Sequence, residues 1–171
     1  MMKMRSFLKR FAVDDSGTTL IETAFIVPIL ATVALGGVEV SNIVKRQAEL
    51  QNAISKSAEI IMAAAPENDD QVSAMLTGVA AKMQAETGLT TTVLGYNQDP
   101  NTTLTKVAYV MRRYRCGNSN TFKKADNGCT DSTHARKFVV FYIRDQYSPV
   151  WNQFSIGNTM DYHVKKSIQI G

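Results

Sequence analysis

Gly17 and Glu22 are the residues whose types and spacing first suggest chemistry. They stand five positions apart, between a short basic leader and an apolar run. Gly17 offers an unhindered peptide bond as a cut site. Cleavage after it makes Thr18 the new N-terminus and puts Glu22 at the fifth mature position. The new α-amino group is a cation and the Glu22 carboxylate an anion. A carboxylate at the centre of a bilayer helix costs ~2.5–3.5 kcal/mol on insertion scales, so one kept there calls for a partner. The freed amino group can be that partner, in the same chain or in a neighbour's.

Cys116 and Cys129 are the second candidate pair. They are the only two cysteines, and they bracket the polar, Gly/Asn-rich stretch Gly117-Asn-Ser-Asn-Thr-Phe-Lys-Lys-Ala-Asp-Asn-Gly128. In an oxidising compartment two such cysteines pair. Closing a loop of this size contributes about 3 kcal/mol through chain entropy. Zinc held by Cys116, Cys129 and His134 is the rival reading, but the spacing fits no common structural site and a fourth ligand is missing. A catalytic thiol is a further rival. The two histidines, His134 and His163, stand near no Gly-x-Ser-x-Gly elbow. No phosphate-binding Gly-rich loop and no His-Glu-x-x-His occurs. The expectation is a protein that is not an enzyme, with no metal and no cofactor.

Charge narrows the classes further. The net charge is +4 over 171 residues. Lys3, Arg5, Lys9 and Arg10 against Asp14 and Asp15 place half of it in the leader. A nearly balanced remainder argues against an electrostatic nucleic-acid binder. Basic residues stay on the cytoplasmic side of a membrane segment, so the leader is expected inside and everything after the span outside. Arg112, Arg113, Arg115, Lys123 and Lys124 form a second basic cluster. It reads as a solvated strand edge and loop, which discourages unwanted pairing, or as a contact for an acidic neighbour.

The elements that must position these residues follow from periodicity. Thr23–Val38 carries no charge; extended to Thr18 and Asn42 it spans 25 residues, enough for a ~30 Å hydrocarbon core. Pro28 lies inside it, where a membrane helix tolerates proline, often as a kink. From Ser41 to Ala65 there is no Pro or Gly, and Ile43, Leu50, Ile54 and Ile61 recur on one side. Lys45, Arg46, Glu49, Asn52, Lys56 and Glu59 supply the polar side, and Pro66 ends the pattern. One helix from Thr18 to Ala65 would measure roughly 70 Å; the alternative is a break near Gly36-Gly37. Asn68–Gln71 reads as the cap of a second helix, with Val72, Met75, Leu76, Val79 and Met83 as its apolar face and Gly88 as its stop.

The composition then turns β-branched and aromatic. Strands are predicted over Leu89–Gly95, Thr105–Cys116, Lys137–Arg144 and Tyr162–Ile170, with a turn at Asn97–Asn101. Val107, Tyr109 and Met111 share one face of the second. Val164, Ile168 and Ile170 form the buried side of the last, and the nearly continuous apolar run of the third marks it as central. Trp151, after Tyr147-Ser-Pro-Val, reads as a buried aromatic beside a turn. The fold class expected is α+β: a long N-terminal transmembrane helix, a second helix, and a C-terminal antiparallel sheet of about four strands. The divisions are a leader over 1–17, a membrane part over 18–42 and an exported α+β domain over 43–171.

Gly17-Thr-Thr-Leu-Ile-Glu22, behind a basic leader and ahead of an apolar run, resembles a type IV prepilin signal. Ala24 and Pro28, within Glu22-Thr-Ala-Phe-Ile-Val-Pro-Ile-Leu, make it similar to the TadE-like family, minor pilins (pseudopilins) of Tad/Flp type IVb pili. Classical type IV pilins carry their helix proline later and favour Phe where this chain has Thr18. The resemblance implies cleavage by a membrane prepilin peptidase between Gly17 and Thr18. It also implies a role for Glu22 and Pro28 in peptidase recognition or assembly. The implied partners are the major Flp pilin, other minor pilins, an inner-membrane platform, a cytoplasmic ATPase and membrane lipid. The implied location is the bacterial inner membrane, single-pass, with the N-terminus in the cytoplasm and the domain in the periplasm or carried into the pilus. The alternative is an uncleaved, membrane-anchored periplasmic adhesion or binding module. A secretory signal peptide fits less well, because no A-x-A-like site follows the apolar run.

Overall fold

The computed structural model describes residues 16–64, 66, 68–95, 97–117, 119–124, 129, 135–155 and 157–170. The basic leader before Ser16 and His134 lie outside the described residues. The fold is α+β. Helix α1 spans Ser16–Ala64 and α2 spans Asp69–Thr87. Four strands follow: β1 (Thr90–Leu94), β2 (Val107–Cys116), β3 (Ala135–Tyr147) and β4 (Met160–Ile170). A short 3-10 helix over Val150–Phe154 joins β3 to β4. The chain divides into two compact units, residues 1–42 and residues 43–171.

α1 runs through both Pro28 and Gly36-Gly37 without interruption. The alternative of a break at the glycines is therefore excluded. α2 begins where its cap predicts. The Asn68 side-chain oxygen accepts from the Gln71 backbone N–H at 2.9 Å, satisfying one of the donors a helix start leaves open. Asp69 and Asp70 occupy its first turn, where the helix dipole favours negative charge. It ends at Gly88, whose φ of 69° is left-handed and whose N–H bonds the Gln84 carbonyl. A side chain at that φ would be strained, so glycine stops the helix cleanly.

The strands form one sheet in the order β1-β2-β3-β4. β2–β3 and β3–β4 are antiparallel, but β1 pairs with β2 in parallel. The sheet is thus mixed, a correction to the all-antiparallel expectation. The twelve residues between Leu94 and Val107 explain it. A parallel pair needs a return connection of about a dozen residues, and this loop is long enough to carry the chain back. Strand bounds differ modestly from those expected: β3 is longer at both ends, and β2 starts two residues later.

Apolar side chains collect on both faces of the sheet. On the helix side, Leu50, Ile54 and Ile61 of α1 and Val72, Leu76, Val79 and Met83 of α2 pack on Val110, Val139, Phe141, Ile143, Ile168 and Ile170. On the opposite side, Tyr109, Met111, Phe138 and Val140 form a second cluster with Leu94, Val107, Phe122 and Tyr142. Val107, Tyr109 and Met111 do share a face, as alternation predicts, but it is the face away from the helices. β3 contributes to both clusters, which is why its sequence is apolar at consecutive positions.

Candidate functional site

The N-terminal unit is a helix surface. Leu20, Ile21, Phe25, Ile26, Val27, Ile29, Leu30, Val33, Leu35, Val38 and Val40 are all exposed. So large an apolar surface is foreign to a soluble monomer and marks an interaction with a membrane or a partner. α1 is long and apolar enough to cross a membrane, by length and composition. Its hydroxyls suit such a setting. The Thr23 Oγ1 donates to the Thr19 carbonyl and the Thr32 Oγ1 to the Pro28 carbonyl, each at 2.8 Å. Both polar groups are thereby satisfied within the helix, as an apolar solvent requires. Pro28 lacks an N–H, so the Ala24 carbonyl loses its usual helical donor.

The signal residues sit at the start of this surface. Gly17 and Thr18 lie in the first turns of α1. Glu22 is exposed on the next turn, among the exposed Leu20, Ile21 and Phe25. A shallow groove beside it is lined by Thr19, Leu20, Thr23, Ala24, Val27 and Pro28. Glu22 and Pro28 therefore belong to one short helical stretch.

In the second unit, α1 residues from Ile43 onward are tied down by polar contacts as well as by apolar packing. The Arg46 Nε donates to the buried Asp145 carboxylate at 2.6 Å. Another Arg46 nitrogen donates to the Thr87 carbonyl at the end of α2, at 2.9 Å. The Gln146 backbone N–H donates to the other Asp145 oxygen. One guanidinium thus joins three elements. Beside it the Tyr162 hydroxyl donates to the Ile43 carbonyl at 3.1 Å. Burial first, and then the Asp145 charge, push the Tyr162 hydroxyl above the usual phenol range, with Arg46 opposing them. The periodicity of the sequence places Arg46 on the solvated side, and nothing in it singles out Asp145. The available signal is a carboxylate two residues past Ile143, on the same strand face as the apolar Val139, Phe141 and Ile143, where burial demands a partner.

Cys116 and Cys129 are joined in a disulfide, with Cα atoms 5.3 Å apart. The bond closes the β2–β3 connection at its base. Within that connection Lys123 exchanges two backbone hydrogen bonds with Tyr114, on the side of β2 that β1 leaves open. This brings Phe122 edge-on to Phe138, with ring centroids 5.6 Å apart.

The basic cluster is only in part solvated: Lys123 and Lys124 of the loop are exposed, but the strand arginines are not. β2 is an interior strand, and both Arg112 and Arg113 are buried. Arg112 lies 3.1 Å from an Asp69 carboxylate oxygen at the start of α2. Arg113 donates to the Gln98 carbonyl and lies 3.5 Å from Asp99. Burial lowers the Arg113 proton affinity and Asp99 partly restores it. Lys124 bonds Asp99 at 2.6 Å, and that bond holds the Asp99 carboxyl below the usual range. Arg115 lies over the Phe122 and Phe138 rings at 4.7 and 5.5 Å. Trp151 is half-buried in the 3-10 helix, less covered than expected. His163 lies on β4. Among the described residues no group of three His, Cys, Asp or Glu side chains is placed to hold a metal.

Compared with known proteins, the chain matches no protein-family model, no curated protein and no solved structure.

Proposed function

We propose that this protein is a minor pilin of the TadE-like kind, matured after Gly17 and taking part in Tad/Flp pilus assembly at the bacterial inner membrane. The observation that carries the reading is the double character of α1. Its first part is an apolar surface bearing one carboxylate, Glu22, near a candidate cut site; its second part is the spine of an α+β domain. On this reading residues 18–42 sit in the membrane and the domain lies in the periplasm. The partners are a prepilin peptidase, the major Flp pilin, other minor pilins and the assembly platform. Glu22 pairs with the α-amino group of Thr18, its own or a neighbour's, because a lone charge in a poorly solvating environment is expensive.

The test is the N-terminal residue and intact mass of the protein purified from its native host, with and without the prepilin peptidase. The mature chain is expected to begin at Thr18, and Gly17→Leu to leave a full-length, membrane-bound precursor. Glu22→Ala is expected to be processed but to assemble poorly. Full-length protein in the presence of the peptidase would instead favour an uncleaved anchored module.

A further inference from the structure

Among the described residues, the face of the sheet turned away from the helices carries more positive charge than its carboxylates cancel. Strand alternation and register put Arg115 of β2, Arg136 and Arg144 of β3, and His163 and Lys165 of β4 on this face. The strands hold two carboxylates. Asp145 points to the helix side and bonds Arg46, and Asp161, on this face, accepts from Gln146. Asp99 reaches the face from its loop and takes Lys124 and Arg113.

Among the described residues, the remaining cations have neutral partners. Arg115 donates to the carbonyl and side-chain oxygens of Asn120 at 3.1 and 3.3 Å. Arg136 donates to the Gly117 carbonyl. Arg144 donates to the His163 Nε2 at 3.0 Å. Lys165 stands 5.5 Å from the Phe122 ring centroid. Carbonyls, an imidazole and ring faces satisfy N–H groups without neutralising charge. Arg115 and Arg136 are direct register partners, a like-charge pair that opposes sheet stability unless something else compensates it.

We propose that this face binds an acidic polysaccharide, a polymer of carboxylated sugars, through Arg115, Arg136, Arg144 and Lys165. Guanidinium forks match carboxylates in bidentate fashion. The cations are also spread out: Arg136 and Arg144 stand eight residues apart on β3, roughly 26 Å at 3.3 Å per residue. That dispersion suits charges strung along an extended polymer rather than one compact anion. A second copy of this chain is the poorer partner. The exposed faces of its helices interleave Lys45, Glu49, Lys56, Glu59, Lys82 and Glu86, so they present no acidic stripe. A single-stranded nucleic acid needs exposed rings on which to stack. Here Tyr109 and Phe138 are buried, Tyr142 is half-buried and stacked with Tyr109, and Phe122 is already contacted by Arg115 and Lys165. The disulfide belongs to an oxidising compartment, where such polymers surround cells; only this placement rests on the export reading.

Polygalacturonate, dextran and an oligo-dT strand serve as probes against the full chain in neutral detergent. Polygalacturonate should bind, more weakly as salt rises, and dextran should not. Relative to the unsubstituted chain, the variant Arg136→Gln, Arg144→Gln, Lys165→Gln should lose about tenfold or more in affinity. The equal charge change Lys45→Gln, Lys56→Gln, Lys82→Gln on the helix side should stay within about twofold. Lys165→Glu, at an exposed site that makes no hydrogen bond to this face, supplies the same direction if the triple variant loses its fold. Equal binding of dextran, equal loss in both triple variants, no loss in the first, or tighter binding of oligo-dT would each overturn the proposal. Binding is measured on the uncut chain, so a failure of cleavage after Gly17 leaves this result standing.

Discussion

The two parts of α1 are made of similar residues and meet opposite fates. Leu20 and Phe25 are more than 70% exposed, whereas Leu50 and Ile61 are fully buried. The difference lies in arrangement. From Thr23 to Val38 the helix is apolar on every side, which suits a surrounding apolar solvent. From Ile43 on, apolar residues recur along one stripe, and Lys45, Glu49, Lys56 and Glu59 fill the rest. That pattern suits one wall of a core and water elsewhere. An apolar residue on a helix therefore says little about its environment until its neighbours a turn away are read with it. Pro28 and Gly36-Gly37 underline the point: both fall in the part apolar all round, where the helix continues past them.

Breaking the clamp in the second part should have a large effect. Asp145→Ala leaves Arg46 only the exposed Glu49 carboxylate, 3.3 Å away, and should cost about 3 kcal/mol, the lower end of the range for splitting a buried pair, because Arg46 is partly exposed. Chemical denaturation of the full chain in neutral detergent measures this. Asp145→Asn, which retains an acceptor, should lose less; equal stability of the alanine variant and the parent would show that the clamp does not hold α1.

A paired truncation sharpens the contrast between the two parts directly. Ile54→Ala removes a fully buried side chain of the main core and should destabilise the domain by about 2–5 kcal/mol. Leu30→Ala, at an exposed position, should stay within about 0.5 kcal/mol in the same assay. If the two changes cost the same, the division of α1 into an outer surface and a core wall is wrong.

The smallest effect concerns pH and the surface loops. The Lys124 bond holds the Asp99 carboxyl below its usual range. A lowered folded-state value means the stabilisation is present above the unfolded value, about pH 4, and is lost as pH falls through the folded one. Wild-type protein should therefore lose slightly more stability than Asp99→Asn between neutral pH and strongly acidic pH. Parallel unfolding curves across that range would remove Asp99 from the account. Its exposure to solvent keeps the difference small.

The sequence by itself settled several features that depend on near neighbours. The Asn68 cap and the Gly88 stop are local backbone chemistry. The Leu50–Ile54–Ile61 stripe and the apolar run of β3 are periodicities, and the cysteine pair is two thiols around a polar loop. Each of these is complete within a few turns or one loop of chain. Tertiary structure decided what depends on distant partners. β1 runs parallel to β2 because a twelve-residue connection allows it, and alternation within β1 is the same in either direction. The Val107–Tyr109–Met111 face was legible as a face, but which side of the sheet the helices cover was not. Arg46 looked solvated until Asp145, 99 residues away, supplied its charge partner, and Arg112 looked like an edge cation until Asp69 met it. A charged side chain states its sign in the sequence; whether it is buried, paired or left uncancelled is fixed only when the fold brings its neighbours to it.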